Sequence, residues 1–299
     1  MKILLLGSNG QLGKELERQL SKIGRLAAFP RSALDITNHK AVVDAVRCIN
    51  PNIIVNAAAY TAVDKAEGDV EQAYAINAEA VANLAQIAKT KGALLIHYST
   101  DYVFDGVKAE PYIETDVTRP INIYGASKLA GEYAITEAGC QYLVFRTTWV
   151  IGKDGSNFAK TILRLASERD RLNVISDQLS VPTSPSLITK VTIDAIQANK
   201  NDKAWENGIY HLAPRGVSNW HEIAQTVVTF AERLNVPLTA SASDIHSIST
   251  AEYPTAAKRP LNSQLDTHKL CAKLSFDLPH WKDDFLAVAS DIVKKLETV

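Results

Sequence analysis

Met1-Lys-Ile-Leu-Leu-Leu-Gly7-Ser-Asn-Gly10-Gln-Leu-Gly13 opens the chain. An apolar run of strand character passes directly into three glycines spaced three apart. Glycine permits a sharp turn out of a strand. It also lets an anion approach the start of the next helix, where free N–H groups and the dipole favour negative charge. A plain strand-to-helix turn that contains glycines is the simpler reading. Placed in the first turn of an alternating chain, Gly7, Gly10 and Gly13 instead predict a cradle for a dinucleotide pyrophosphate.

The alternation continues outward from that turn. Strands are predicted over 2–6, 25–29, 52–55, 93–97 and 142–145, with helices over 11–21, 39–49, 70–89 and 122–137. In the third helix Ala73, Ile76, Ala80, Leu84 and Ile87 recur at three- or four-residue steps, the period of a helix with one buried face. Such a succession predicts an α/β fold with a Rossmann-type, doubly wound parallel sheet. Beyond Trp149 the rhythm loosens. Helices are predicted over 157–168, 187–198, 220–234 and 281–296, and the Pro-, Ser- and Thr-rich stretches 180–185 and 247–263 read as irregular connections. The expected organisation is a dinucleotide-binding domain over 1–150 and a smaller C-terminal substrate-binding α/β domain over 151–299. A segment near 185–215 is a candidate to return to the first.

The 299 residues are 46% hydrophobic and 22% charged, with 32 basic and 33 acidic side chains giving a net charge of −1. That balance is ordinary for globular proteins and argues against disorder, coiled coil and a basic nucleic-acid-binding surface. No apolar run approaches the roughly 20 residues needed to cross a bilayer. Cys48, Cys140 and Cys271 are too few and too scattered to suggest a disulfide framework or zinc cluster. The expectation is a cytoplasmic protein with no metal and no nucleic-acid or membrane partner.

Residues after the second strand bear on cofactor choice. An NAD site commonly places a carboxylate there to accept from the ribose hydroxyls. Here the chain reads Ala28-Phe29-Pro30-Arg31-Ser32. Arg31 suits a 2′-phosphate, although a solvated surface arginine is the plainer alternative. NADPH is therefore expected, with NADH as the alternative. Asp35-Ile36 follows, placed either to contact adenine or to cap the next helix.

Tyr124-Gly-Ala-Ser-Lys128 carries the most chemistry. A spacing of four puts both side chains on one helix face. A tyrosine titrates near about 10, too high for easy proton exchange at neutral pH. A neighbouring ammonium and a helix N-terminus near Pro120 are expected to lower that value, which suits a carbonyl–alcohol reaction. Lys128 can also hold the nicotinamide ribose. At the end of the fourth strand His97-Tyr-Ser-Thr100-Asp101 reaches the crevice where ligands bind in parallel sheets. Thr100 is the predicted hydroxyl partner of the substrate oxygen, with Ser99 as its rival, and His97 reads as a packed strand residue.

These residues resemble the extended short-chain dehydrogenase/reductase superfamily and, within it, the dTDP-4-dehydrorhamnose reductases. The matching stretches are 7–13, 55–67, 97–104, 124–132, 145–149, 157–160, 253–255 and 259–260, so the resemblance spans essentially the whole chain. It implies that Gly10, Gln11 and Leu12 line the pyrophosphate and Asp35-Ile36 the adenine. Ala59, Tyr60 and Thr61 would run beside the cofactor toward the substrate. Tyr124 would donate the proton with help from Lys128, and Thr100, Asp101 and Trp149 would contact the sugar nucleotide. Trp149 can wall off a sugar by apolar contact, with a core tryptophan as the alternative. Arg259 reads either as a partner of the diphosphate or as a surface residue.

The implied activity is NADPH-dependent reduction of dTDP-4-dehydro-β-L-rhamnose to dTDP-β-L-rhamnose, the final step of dTDP-L-rhamnose synthesis and a supply for O-antigen. Two departures from the family pattern stand out. No carboxylate ends the second strand, which weakens the case for NADH. The segment 181–189 also has no carboxylate, so the magnesium-bridged dimer of some members is not expected and the chain reads as a monomer or homodimer. Two rivals remain. One is a nucleotide-sugar epimerase or dehydratase of the same superfamily. The other is a non-catalytic regulatory subunit of methionine adenosyltransferase.

Overall fold

The computed structural model describes residues 1–200 and 205–296. The first half alternates as the pattern predicts: β1 Lys2–Leu6, α1 Gln11–Leu20, β2 Arg25–Phe29, α2 His39–Ile49 and β3 Ile53–Asn56. Two short helices follow, α3 Val63–Ala66 and α4 Val70–Tyr74. After them come α5 Ala80–Lys91, β4 Leu94–Thr100, α6 Ile123–Ala138 and β5 Gln141–Thr147. The remainder adds α7 Phe158–Glu168, β6 Leu172–Ile175, β7 Leu179–Ser180, α8 Pro185–Lys200 and β8 Gly208–Leu212. It closes with β9 Ser218–Asn219, α9 Trp220–Arg233, β10 Ile245–Ile248, α10 His268–Cys271 and α11 Trp281–Leu296.

Six parallel strands form the main sheet in the order β2-β1-β3-β4-β5-β8. The order reverses between β1 and β3, the point at which ligands enter such sheets. Side chains of a strand alternate between its faces. Ile3 and Leu5 accordingly pack with α1 and α8, while Leu4 and Leu6 pack with α2 and α5. Both faces of β1 are covered, which is why it reads as an unbroken apolar run rather than an alternating one. Removing any of these side chains to alanine is expected to cost about 2–5 kcal/mol.

A second core gathers α7, α9 and α11 with β6 and β10, centred on Ile162, Val227, Val228, Trp281 and Phe285. β6 and β10 pair in parallel, and β7 and β9 pair antiparallel. Meanwhile α8 packs on α1, and β8 extends the main sheet beside β5. Residues 247–263 are largely irregular, apart from the end of β10 and a 3₁₀ turn at Thr250–Glu252.

Two elements differ from the expected pattern. The helix expected over 70–89 is divided, with a π-helical turn at Ala75–Glu79 between α4 and α5. The wider turn places Asn77, 1% exposed, to accept from Tyr60 N at 2.9 Å and donate to Tyr60 O and Ser127 Oγ, each at 3.0 Å. Apolar periodicity carries no trace of this, because the bulge serves a buried amide. The fourth strand extends to Thr100 rather than His97, which puts Thr100 at its carboxyl end.

Candidate active site

The first turn is built as its glycines require. Gly7 has φ of 78°, and a Cβ there would lie 2.6 Å from Ala58 N. A Cβ on Gly13 would lie 2.0 Å from Gly7 O, so α1 can pack on the turn only with glycine there. Gly10 is different. Its Cβ would meet only Gly7 O at 3.6 Å, so the protein's own packing does not demand glycine. Gly10 heads α1 without a side-chain cap, which leaves helix N–H groups facing a groove. Gly7, Asn9, Gly10, Arg31, Asp35 and Ala59 are among the residues that line this groove, with Ile36 on its wall. An anion approaching Gly10 closely is what the arrangement fits.

Further along the crevice, α6 begins with Asn122 as its cap, the side chain accepting from Gly125 N at 2.7 Å. A Cβ on Gly125 would lie 2.1 Å from Tyr102 O, so the start of α6 rests directly on the 3₁₀ turn Asp101–Val103 after β4. That contact brings Tyr124 near Thr100, whose hydroxyl acts to lower the phenol's pKa. Thr100 Oγ1 also donates to Asp101 Oδ1 at 3.0 Å and accepts from Tyr102 N at 3.2 Å. Asp101 is 2% exposed, its Oδ2 has no partner, and burial raises its carboxyl to about 7.

Lys128 lies one turn along α6, 2% exposed. Its Nζ donates to Tyr98 O at 2.6 Å and lies 3.2 Å from His97 Nε2. Burial lowers the amine to about 8, while Glu132, a further turn on, acts to raise it. The expectation that Lys128 lowers the tyrosine is overturned here. Burial pushes Tyr124 up to about 12; the Thr100 hydroxyl opposes the rise and the charge of Asp101 adds to it. Lys128 is directed at β4 instead of at the phenol.

The match with known proteins is close. Residues 1–293 match the family described as the RmlD substrate binding domain. The dTDP-4-dehydrorhamnose reductase of Escherichia coli strain K12 is 46% identical over 288 residues, covering 94% of this chain and 95% of that one. The chain belongs to this reductase family. A crystal structure of dTDP-4-dehydrorhamnose reductase from Bacillus anthracis in complex with NADP superposes with a TM-score of 0.86 at 36% identity, covering 96% of this chain and 98% of that one. The Clostridium acetobutylicum ortholog gives 0.87 at 34% identity over the whole of both chains.

Set within the reductase family, the other expected residues fall into three groups. Gly7, Gly10, Arg31, Asp35, Ile36 and Ala59 share the groove. Gln11 and Leu12 are not among the residues that line it: the Gln11 amide oxygen accepts from Gly152 N and Asn157 Nδ2, each at 3.1 Å, and Leu12 packs against the core. Tyr60 is partly buried and donates to Asp69 at 3.1 Å, while Thr61 is exposed. Asp35 does not cap α2. Asn38 does, and Asp35 instead accepts from Thr37 and pairs with Arg31 at 3.3 Å.

Trp149 follows β5 with φ of 34°, a strained value for so bulky a residue, and stacks on Trp220 at 3.9 Å between ring centres. Arg259 is held by Asp64 in a two-pronged pair, with distances of 2.7 and 3.1 Å. Asp64 therefore serves Arg259 rather than its own short helix, and Glu67 accepts from Ile123 N at 2.8 Å, at the start of α6.

Sequence reasoning missed the layer beneath. Arg146 on β5 grips Glu132 on α6 at 2.6 Å, both almost fully buried, and lies 3.5 Å from His211 on β8. The Glu132 position, four residues beyond Lys128, is the one signal that could have found it.

Proposed function

We propose that this chain reduces the 4-keto group of dTDP-4-dehydro-β-L-rhamnose to give dTDP-β-L-rhamnose, with NADPH as the preferred cofactor. The observation that carries this reading is that Thr100, Tyr124 and Lys128 gather at the carboxyl end of β4, the same end of the parallel sheet as the groove at Gly10. The chain's membership of the reductase family and the NADP held by the Bacillus anthracis enzyme support it.

Gly10 and the N–H groups at the start of α1 hold the pyrophosphate, Ile36 and Asp35 flank the adenine, and Arg31 meets the 2′-phosphate. Bound reduced nicotinamide supplies the hydride to the C4 carbonyl carbon. Tyr124 gives its proton to the oxygen that becomes the hydroxyl, and Thr100 orients that oxygen. A phenol held near 12 is fully protonated at neutral pH, the state a donor requires, and the alkoxide it meets is more basic still. Lys128 in its charged form holds the ribose. Trp149 and Asp101 bound the sugar, and Arg259 with Asp64 stands near the diphosphate. Holding both reactants in contact supplies much of the rate.

In this reading residues 1–150, joined by 185–215, carry the cofactor and the rest shapes the sugar site. No helix among the described residues is long and apolar enough to cross a membrane. We place the enzyme in the cytoplasm, as a monomer or homodimer supplying rhamnose for O-antigen. Absorbance at the reduced-nicotinamide band, with enzymatically generated ketosugar, tests the assignment. The expected result is one NADPH consumed per ketosugar, faster than NADH. Conversion of the sugar without net consumption would point to an epimerase or dehydratase instead, and no turnover to a non-catalytic protein.

A further inference from the structure

A buried hydrogen-bond chain beneath Lys128 runs in one direction only. Asn56 ends β3 and His97 lies in register with it on β4, each 1% exposed. Asn56 Oδ1 accepts from Ala58 N at 3.1 Å. That fixes the side chain's orientation, so its Nδ2 faces His97 Nδ1, 3.1 Å away. An amide NH2 can only donate, so Nδ1 accepts and the single ring proton sits on Nε2. Nε2 lies 3.2 Å from Lys128 Nζ, whose other contact is its donation to Tyr98 O. A histidine N–H facing an ammonium sets donor against donor.

We propose that His97 is a positioning residue for Lys128, donating its Nε2–H to Nζ so that the chain from Ala58 accommodates the neutral amine and opposes the ammonium. This rests on the reading of Lys128 as a member of the reductase site and gives a task to a histidine that the mechanism leaves unused. The surroundings agree. Burial lowers His97 well below its usual value, Lys128 adds to that, and Lys128 itself is lowered to about 8. The elements packed on α6 carry His97 and Tyr98 on β4, Asp101 and Tyr102 on the turn after it, Asp64 and Lys65 on α3, Glu71 and Tyr74 on α4, Glu79 on the π turn, and Lys89 and Lys91 on α5. Arg146 on β5 reaches α6 through Glu132, and of all these charges Glu132 is the one that acts on the amine. Glu132 pulls toward the ammonium, but Arg146 already grips it at 2.6 Å. His97 is the neighbour whose hydrogen-bond polarity opposes the charge.

Asn56→Asp reverses that polarity. A carboxylate still accepts from Ala58 N but draws the ring proton to Nδ1, leaving Nε2 to accept from an ammonium. The full-length protein is labelled with 15N-histidine, and two-bond 1H–15N spectra are recorded from pH 6 to 10 without cofactor or substrate. His97 is assigned by the signal missing in His97→Phe. The expected spectrum shows His97 neutral throughout and protonated on Nε2, with the proton moved to Nδ1 in Asn56→Asp. In the steady-state pH profile of ketosugar reduction, the alkaline limb is expected to move up by about one pH unit in Asn56→Asp, a tenfold change in proton affinity. A change of packing alone would lower the rate but leave that limb in place. An Nδ1-protonated wild-type His97 overturns the proposal, as does an unmoved limb in a variant whose tautomer has changed. If Asn56→Asp fails to fold, the wild-type tautomer alone decides. Failure of the reductase reading would abolish the rate profile and leave the tautomer spectra intact.

Discussion

Burial, more than proximity, governs the charges at this site. Asp101 titrates near 7 in the fold against an ordinary 3.8, so the folded state keeps its proton longer than the unfolded chain. Its contribution to stability is fully present below the unfolded value and is lost as pH rises through about 7. Asp101→Asn is therefore expected to raise the thermal midpoint at pH 8, with the gain vanishing below about pH 4; denaturation scans across that window measure it. Lys128 runs the other way. It titrates near 8 against 10.5, the folded state binds fewer protons in between, and stability should rise with pH across that window. Comparing wild type with Lys128→Met in urea titrations at pH 7 and pH 10.5 should reveal a difference of about 3 kcal/mol. That Tyr124 and Lys128 share α6 was legible from their spacing, and that Thr100 ends β4 from its place after a strand run. Their charge state was not, because the Lys128 amine is directed by His97 and by the Tyr98 carbonyl, some thirty residues earlier in the chain.

Among the elements, the strand-to-helix turn separates two uses of glycine. Gly13→Ala forces a Cβ against Gly7 O and should destabilise the fold by several kcal/mol, whereas Gly10→Ala makes an ordinary 3.6 Å contact. Gly10→Ala is expected to keep its thermal midpoint within a few degrees while NADPH binding, followed by fluorescence, weakens at least tenfold. Equal behaviour of the two variants would remove the case for a ligand at Gly10. The alternation of strand and helix patterns revealed β1, α1, α2 and α6 almost to the residue, because each has a recognisable end. It could not reveal the π turn at Ala75–Glu79, which answers to the polar Asn77, or the Glu132–Arg146 pair, which joins α6 to β5. Glu132→Gln leaves Arg146 buried without its counter-charge and is expected to cost about 3–5 kcal/mol by chemical denaturation.

Across the whole molecule, the groove at Gly10 and the stacked Trp149 and Trp220 lie on segments far apart in sequence. Gln11 bridges them, its amide oxygen accepting from Gly152 and Asn157. The parallel sheet was evident from five strands alternating with four helices. The pairing of β8 with β5 and the second core around α7, α9 and α11 were less so, since short strands such as β6 and β10 carry too few residues to show a period. The distribution of charge fits this assembly. A net charge of −1 leaves recognition of several phosphates to groups placed locally, Arg31 at the groove among them, and Arg31→Ala should narrow the preference for NADPH over NADH. The central claim is that Tyr124 delivers the proton in a ketosugar reduction. Turnover of dTDP-4-dehydro-β-L-rhamnose by Tyr124→Phe, measured alongside its affinity for NADPH, tests that most directly. The predicted result is a loss of about 10²–10⁴-fold in kcat with NADPH affinity nearly unchanged; turnover close to that of the wild type would contradict it.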